Sequence, residues 1–387
     1  MDFELTSEQR AVRELCRDFA REVVAPAAEA LDREQSFGYD VVCRMGELGL
    51  FGLPFSEEYG GAGGDFLSLC LAIEEISRAD AGVGITLEAA VCLGAAPIHQ
   101  FGSAQQKQRW LPELLAGKKL WAFGLTEPEA GSDAGATKTR ADLEEGQWVV
   151  NGAKQFITNC GTDISAGVTV TAVTGKTKRG SPEISAIMVP TGTPGYHVHE
   201  SYRKLGWHSS DTHPLTFEGC QVPEENLLGV RGGGYRQFLN TLMSGRIAIA
   251  ALSVGLAQAC LDASLAYAKE RRTFGVPISK HQAIQFKLAD MAMETELART
   301  MVYRAATAYA HGGAKTTDEV RMLAAMCKLY ASETSKRAAD QAVQIHGGYG
   351  FMEDYPVARY WRDVKVNEIG EGTSEVQRML IARLLGI

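Results

Sequence analysis

The chain lacks most of the signatures that announce common catalytic chemistries. Its eight cysteines, at positions 16, 43, 70, 92, 160, 220, 260 and 327, form no C-x-x-C pair and no close Cys/His cluster. That spacing excludes a zinc module and a disulfide scaffold, and the cysteines read as reduced, mostly buried thiols. No G-x-G-x-x-G follows a strand pattern, so a Rossmann nicotinamide site has no support. There is no G-x-S-x-G elbow and no H-E-x-x-H, and the eight histidines lie far apart, which argues against hydrolase and metal chemistry. Gly175-Lys176-Thr177 looks like the end of a phosphate loop, but the earlier glycine that loop needs is Val170, so it reads as an exposed basic turn. No run reaches about 18 uninterrupted apolar residues, and the opening Met1-Asp2-Phe3-Glu4 has neither a basic nor an apolar leader segment. A cytoplasmic protein without membrane insertion is the expectation. Positive charge is also scarce: 39 Lys and Arg face 47 Asp and Glu, a formal net charge of −8, which disfavours nucleic acid as a partner.

What is present is an ordinary globular composition, 45% hydrophobic and 22% charged, in 387 residues, enough for two or three domains. Residues 1–120 read as helices. Thr6 with Gln9 and Ser103 with Gln106 fit the capping box that opens a helix. Between them lie an apolar-periodic run from Phe66 to Arg78 and a small-residue run from Ala81 to Phe101, with glycines 60, 61, 63 and 64 marking a loop. Residues 121–231 change to short β-branched and aromatic runs (Gln147 to Asn151, Gly167 to Val173, Ile184 to Val189, Leu215 to Phe217), the texture of a β-barrel or sandwich. Residues 232–387 return to helical periodicity over Tyr235–Arg271, Ser279–His311, Thr316–His346 and Thr373–Leu385, a four-helix bundle. Ser279 with Gln282 and Thr316 with Glu319 are read as capping-box starts, and Gly312-Gly313 and Gly347-Gly348 as stops, with His346 capping the third helix.

Small, polar and glycine-rich segments mark the junctions. Phe123-Gly124-Leu125-Thr126-Glu127-Pro128-Glu129-Ala130-Gly131-Ser132-Asp133 carries hydroxyls and backbone N–H groups suited to a polar ring edge, or is a plain loop. In Lys154-Gln155-Phe156-Ile157-Thr158-Asn159 an aromatic and a threonine share one face of a strand, for stacking and hydrogen bonding or for core packing. Arg271-Arg272-Thr273-Phe274-Gly275 puts positive charge at a helix C-terminus, where it complements the dipole or forks a diphosphate. Glu368-Ile369-Gly370-Glu371-Gly372-Thr373-Ser374-Glu375 holds a carboxylate between glycines just before a helix capped by Thr373.

Taken together and in this order, these segments, with Arg246-Ile247-Ala248 and Gln344-Ile345-His346-Gly347-Gly348, resemble the acyl-CoA dehydrogenase family over essentially the whole chain, most closely its short-chain bacterial members. The resemblance implies an N-terminal helical domain, a middle β-barrel, a C-terminal four-helix bundle and a homotetramer. It implies FAD between barrel and bundle: Phe123, Leu125, Thr126, Gly131 and Ser132 lining the flavin, and Phe156, Ile157 and Thr158 covering the isoalloxazine. Arg271, Thr273, Phe274 and Gln282 would hold the diphosphate and adenine half, with Gln344, Ile345, Gly347 and Gly348 from another subunit, and Thr373 and Glu375 would meet the dinucleotide. Ser132, Met243, Arg246 and Gly372 are the implied substrate contacts. The chain departs from the family in having Phe156 where many members have Trp and Met243-Ser244-Gly245 where an Asp is common. Gly245 also lacks the carboxylate that the isovaleryl-type branch places on this helix, so Glu371 is the matched base.

The chemistry implied is removal of the α-proton of an acyl-CoA thioester by Glu371 and passage of the β-hydride to flavin N5, electrons going on to an electron-transfer flavoprotein. The enolate-like oxygen would be held by the Glu371 backbone N–H and a flavin ribosyl hydroxyl. Desolvation by the acyl chain is expected to outweigh the helix N-terminus and raise the Glu371 pKa. An acyl-CoA oxidase and a flavin-binding protein without dehydrogenation are the rivals of the same fold. The segment Ile85 to Pro97 is expected to line the acyl pocket, with Glu88 a solvated or paired helix charge; straight short-chain acyl groups come first, branched or alicyclic ones second.

Overall fold

The computed structural model describes residues 4–312 and 317–387. Helix α1 (Ser7–Phe19) opens on the expected capping box: Gln9 N–H donates to Thr6 Oγ1 at 3.2 Å and Thr6 N–H to Gln9 Oε1 at 3.0 Å. Helices α2 (Ala25–Glu34), α3 (Tyr39–Glu47), α4 (Phe66–Ala79), α5 (Ala81–Glu88), α6 (Ala96–Phe101) and α7 (Ala104–Leu115) complete the first region. Helix α7 starts on the Ser103–Gln106 box as expected. The small-residue run is not one regular helix, because a π-helical stretch, Ala89–Ala95, joins α5 to α6. Such a stretch rotates the side chains beyond it around the axis, a distortion common beside functional sites.

The middle region is one seven-stranded sheet, formed by β1 (Leu120–Gly124), β2 (Arg140–Glu144), β3 (Gln147–Thr158), β4 (Ser165–Lys176), β5 (Pro182–Pro190), β6 (Tyr196–Val198) and β7 (Thr212–Pro223). Its order is β1-β4-β2-β3-β7-β6, with β5 on β4. Strand β4 pairs with β1 in parallel and with β5 antiparallel, and it touches β2 only at Arg140↔Val173, so the sheet curls around its own core as a barrel. Trp148, Val150, Val168, Val170, Ile187, Leu215 and Phe217 fill that core.

The third region holds α8 (Gly234–Glu270), α9 (Gln282–Gly312), α10 (Asp318–His346), α11 (Pro356–Asn367) and α12 (Ser374–Leu384). Between α8 and α9 a hairpin turns at Phe274 and Gly275, β8 (Arg272–Thr273) with β9 (Val276–Pro277). Ser279 does not cap α9: it lies in a 3₁₀ turn, Ile278–Lys280, set off by Pro277, and Gln285 N–H instead bonds the His281 carbonyl at 3.1 Å. Thr316 and Gly313, expected at a start and a stop, lie outside the described residues; Thr317 caps α10, its side chain accepting from Val320 N–H. Helix α11 has no counterpart in the sequence expectation; it begins with proline in its first turn, where no N–H is missed.

The first and third regions pack on one continuous core. Leu69, Ile73 and Ile76 of α4, Ile247, Ala251 and Val254 of α8, and Ala324, Cys327 and Ala331 of α10 belong to it, with α4 packed on α8 and α8 on α10. Among the described residues two helical stretches, Ala81–Phe101 and Gly234–Glu270, are long and apolar enough to cross a membrane, and their most apolar windows are 94% and 83% buried inside the protein. Seven of the eight free cysteines are buried, Cys43 being exposed.

Candidate active site

The loop after β1 is fixed from below by a buried ion pair. Lys154 Nζ reaches Glu127 Oε1 at 2.7 Å, Thr171 Oγ1 at 3.0 Å and the Leu125 carbonyl at 3.3 Å. Glu127 also accepts from the backbone N–H groups of Lys138, at 2.6 Å, and Thr139, at 3.1 Å, and from the Thr137 hydroxyl. Burial opposes both charges, yet Lys154 and these donors hold the Glu127 carboxyl at about 2, while burial lowers Lys154 to about 8. Both are therefore ionised across the neutral range. Above this anchor Phe123, Leu125 and Thr126 are half-buried, and Gly131 and Ser132 are exposed. Phe123 stacks on Phe238 of α8 with ring centroids 4.0 Å apart, which ties the sheet to the helices.

At the far end of β3 the strand is irregular between Lys154 and Ile157, and Phe156 takes φ +60°. The bulge turns Phe156 outward, 62% exposed, beside Tyr202, while Ile157 is buried in the barrel core and Thr158 is half-buried. An exposed aromatic in a left-handed conformation is strained, and such strain collects at binding sites. Phe274, 98% exposed at φ +49°, tips the β8–β9 hairpin in the same manner. Arg271 lies over the Tyr349 ring at 5.5 Å, and Thr273 Oγ1 lies 2.9 Å from His281 Nε2. Gln282 and Gln344 are exposed, as are Gly347 and Gly348, which have open space where side chains would stand. Ile345 is buried in the helical core, so only its backbone is available to a ligand. His346 turns inward, bonding the Ala342 carbonyl at 2.8 Å and stacking on Tyr267.

Glu371 stands at φ +54° and Gly372 at φ +98°, just before α12, whose cap Thr373 accepts from Val376 N–H at 3.3 Å. The adjacent Glu375 is exposed in the first turn. The Glu371–Gly372 turn is clamped by its carbonyls: Lys328 Nζ donates to Gly372 O at 2.8 Å, Gln377 Nε2 to Gly372 O at 2.8 Å and to Glu371 O at 3.3 Å, and Arg246 Nε to Glu371 O at 3.4 Å. Glu371 itself is partly accessible, but both carboxylate oxygens are buried and meet no N–H or hydroxyl donor. Position 245 must be glycine for this arrangement, because a Cβ there would overlap Oε2 of Glu371. Met243 and Arg246, on either side of it, are buried on the same helix. Burial pushes the Glu371 carboxyl above the ordinary carboxylate range, against a hydrogen bond from Glu88 and the charges of Arg246 and Lys328. Glu88 is not a solvated or cation-paired helix charge: α5 is buried on every side, and its last residue has no accessible surface and no cation against it.

Three elements of this site escaped the sequence reading. Lys328 follows Cys327 and precedes Ala331 in a small-residue face of α10, and that apolar spacing, with Ala324 four residues before it, is the signal that its side chain points inward. Gln377 bonds back onto the turn just before its own helix, and the role of Gly245 as a recess for Glu371 carried no signal because it depends on the approach of α8 to that turn.

Models of the acyl-CoA dehydrogenase N-terminal, middle and C-terminal domains match residues 6–118, 122–220 and 232–386. A probable acyl-CoA dehydrogenase of Bacillus subtilis, YngJ, is 54% identical, covering 100% of both chains. The chain belongs to the acyl-CoA dehydrogenase family. Butyryl-CoA dehydrogenase from Megasphaera elsdenii superimposes with a TM-score of 0.95 at 43% identity over 100% of both chains. A chain in the structure of an electron transferring flavoprotein of Acidaminococcus fermentans does so at 0.95 and 43%, covering 100% of this chain and 99% of that one. An acyl-CoA dehydrogenase complexed with FAD from Bacillus anthracis matches at 0.91 and 35%, over 99% of this chain and 68% of that one. As an acyl-CoA dehydrogenase the protein is a flavoenzyme, an oxidoreductase that uses FAD. Its own surface fits that cofactor: two exposed, strained aromatics, Phe156 and Phe274, an arginine beside a tyrosine ring, and open glycines at the end of α10.

Proposed function

We propose that this acyl-CoA dehydrogenase oxidises a short-chain acyl-CoA thioester to the 2-enoyl-CoA, with Glu371 as the base that removes the α-proton. The observation that carries the reading is the buried, cation-flanked Glu371 carboxylate, seated in the recess left by Gly245. A carboxylate without a hydrogen-bonded N–H or hydroxyl partner is costly unless it has a task, and a raised pKa matches it better to a carbon acid. FAD, when bound, supplies the acceptor for the β-hydride. The chain supplies the rest. The Glu371 backbone N–H, presented by the clamped turn, is the donor for the thioester oxygen as negative charge develops there. Arg246 and Met243 on α8 and Ser132 on the loop after β1 contact the coenzyme A thioester, and Gly372 lets the chain pass close to it.

For the cofactor, Phe123, Leu125, Thr126, Gly131 and Ser132 would hold the flavin from the loop after β1, and Phe156, the Ile157 backbone and Thr158 would hold it from the end of β3. Arg271, Thr273, Phe274 and Gln282, with Gln344, the Ile345 backbone, Gly347 and Gly348, would hold the diphosphate and adenine half, and Thr373 and Glu375 would hold the dinucleotide at the start of α12. A homotetramer would bring Gln344, the Ile345 backbone, Gly347 and Gly348 to the cofactor of a neighbouring subunit, and the exposure of Phe274 (98%) and Phe351 (83%) supports such covered surfaces. An electron-transfer flavoprotein is the electron acceptor, a reading supported by the likeness to the Acidaminococcus chain. Short acyl groups come first because of the 43% identity to butyryl-CoA dehydrogenase. The test is a visible spectrum of the purified protein followed by anaerobic addition of butyryl, isobutyryl, hexanoyl and cyclohexanecarboxyl thioesters. Flavin bands that bleach most rapidly with butyryl-CoA support the proposal. Bands that bleach with none of them remove it, and rapid oxygen consumption under substrate would favour an oxidase.

A further inference from the structure

Two carboxylic acids meet in the interior of this site. Glu88 ends α5 where the helix widens into the π-helical stretch, has no accessible surface, and neither of its oxygens meets an N–H or hydroxyl donor. What its carboxyl faces is the carboxyl of Glu371. The groups around the pair are distributed unevenly. Arg246 of α8 and Lys328 of α10 bear on Glu371, and Glu368 and Glu375 bear on Lys328. Around Glu88 stand Cys92 of the π-helical stretch and, farther away, Cys70 of α4, both thiols held neutral by burial; Tyr309 of α9 lies near Cys92. Among the described residues no cation acts on Glu88, and burial, then the charge of Glu371, drive its carboxyl well above the ordinary range. When two buried carboxyls face each other and only one has cations, the shared proton resides on the other.

We propose that Glu88 is a positioning residue for the base: a neutral carboxylic acid that donates its proton as a hydrogen bond to the Glu371 carboxylate, keeping Glu371 ionised and its oxygen oriented in the recess at Gly245. The inference rests on Glu371 being the base. Glu88 keeps its own proton throughout; the substrate's α-proton passes to Glu371, and no net proton crosses between the two residues. The hydrogen bond to the charged form favours ionisation, so its loss makes Glu371 harder to deprotonate.

The pH dependence of flavin bleaching by butyryl-CoA in the FAD-loaded protein tests this, with Glu88→Ala and Glu88→Gln beside the parent. Loss of the donor in Glu88→Ala moves the acid limb up by about one to two pH units, the worth of one hydrogen bond to a charged group. Glu88→Gln, which has the same shape and an N–H₂ donor, returns the limb most of the way to the parental position. An acid limb that does not move, or that moves down in both variants because a negative charge beside the base has been removed, overturns the proposal. A parent that bleaches with no thioester counts against the reading of Glu371, and the state of Glu88 is then read separately by infrared difference spectroscopy of the FAD-loaded parent minus Glu88→Gln at neutral pH. A carbonyl stretch of a protonated carboxylic acid in the parent alone supports a neutral Glu88. A carboxylate stretch in its place overturns it.

Discussion

The β-barrel and the helical core each bury a glutamate, and they treat it in opposite ways. In the barrel, Glu127 is given a lysine, two backbone N–H groups and a threonine hydroxyl, and its carboxyl falls to about 2. Between α5, α8 and α12, Glu371 is given one other carboxyl, two cations that serve mainly its backbone carbonyl and that of Gly372, and an upward shift. The first arrangement is what buried charge needs to be tolerated; the second leaves reactivity in place. A buried acid with its hydrogen bonds filled serves as an anchor, and one left unfilled is available to take up a proton.

The comparison is broken most directly at Glu371. Glu371→Gln retains FAD absorbance and loses substrate bleaching by about 10²- to 10⁴-fold, the usual worth of a general base, as stopped-flow spectroscopy would record. In the parent the bleaching rate climbs with pH, because only the ionised carboxylate accepts the α-proton, and the raised pKa places this acid limb above the range of ordinary glutamates. At the anchor the expected effect is on stability. Lys154→Met leaves Glu127 buried without its cation and lowers unfolding free energy by about 3–5 kcal/mol in denaturant titration, and a second change, Glu127→Gln, recovers part of the loss. Equal destabilisation by the single and double variants would contradict the pairing.

Gly245→Ala tests the recess. The added methyl displaces the Glu371 carboxylate, and bleaching slows by about 10²-fold while FAD stays bound, since a misplacement near 1 Å has that cost. The smallest effect is at the cap of α12. Thr373→Ala removes the acceptor of Val376 N–H and costs about 1 kcal/mol in thermal unfolding, sharpening the distinction between residues that fold the turn and those that react.

Much of this was legible in the chain. The Thr6 and Ser103 capping boxes, the change from helical to alternating texture near Leu120 and the return after Gly234 are local signals, and local hydrogen bonding makes them reliable. Resemblance led to Glu371, and the structure supplies its setting of burial, clamped turn and recess. Glu88 is a charge in a run of small residues and looks like a solvated face until α4 and α8 are seen to pack on α5 and close over it. Ser279 failed as a cap because Pro277 imposes a 3₁₀ turn first, and α11 was missed because its charges interrupt the apolar repeat. Of these, only the Glu88 miss depends on contacts between segments distant in sequence, which periodicity does not record; the other two are local.

The core shared by α4, α8 and α10 also sets an order of assembly during synthesis. The first seven helices leave the ribosome long before residue 346 is made, an interval on the order of tens of seconds at ordinary elongation rates. Through that interval Leu69, Ile73 and Ile76 have only the first region's own helices to pack on and lack the part of the core that α8 and α10 supply, while the barrel, whose core is its own, can close as soon as Pro223 emerges. The helical core is thus completed last, by the segment that also carries Glu371.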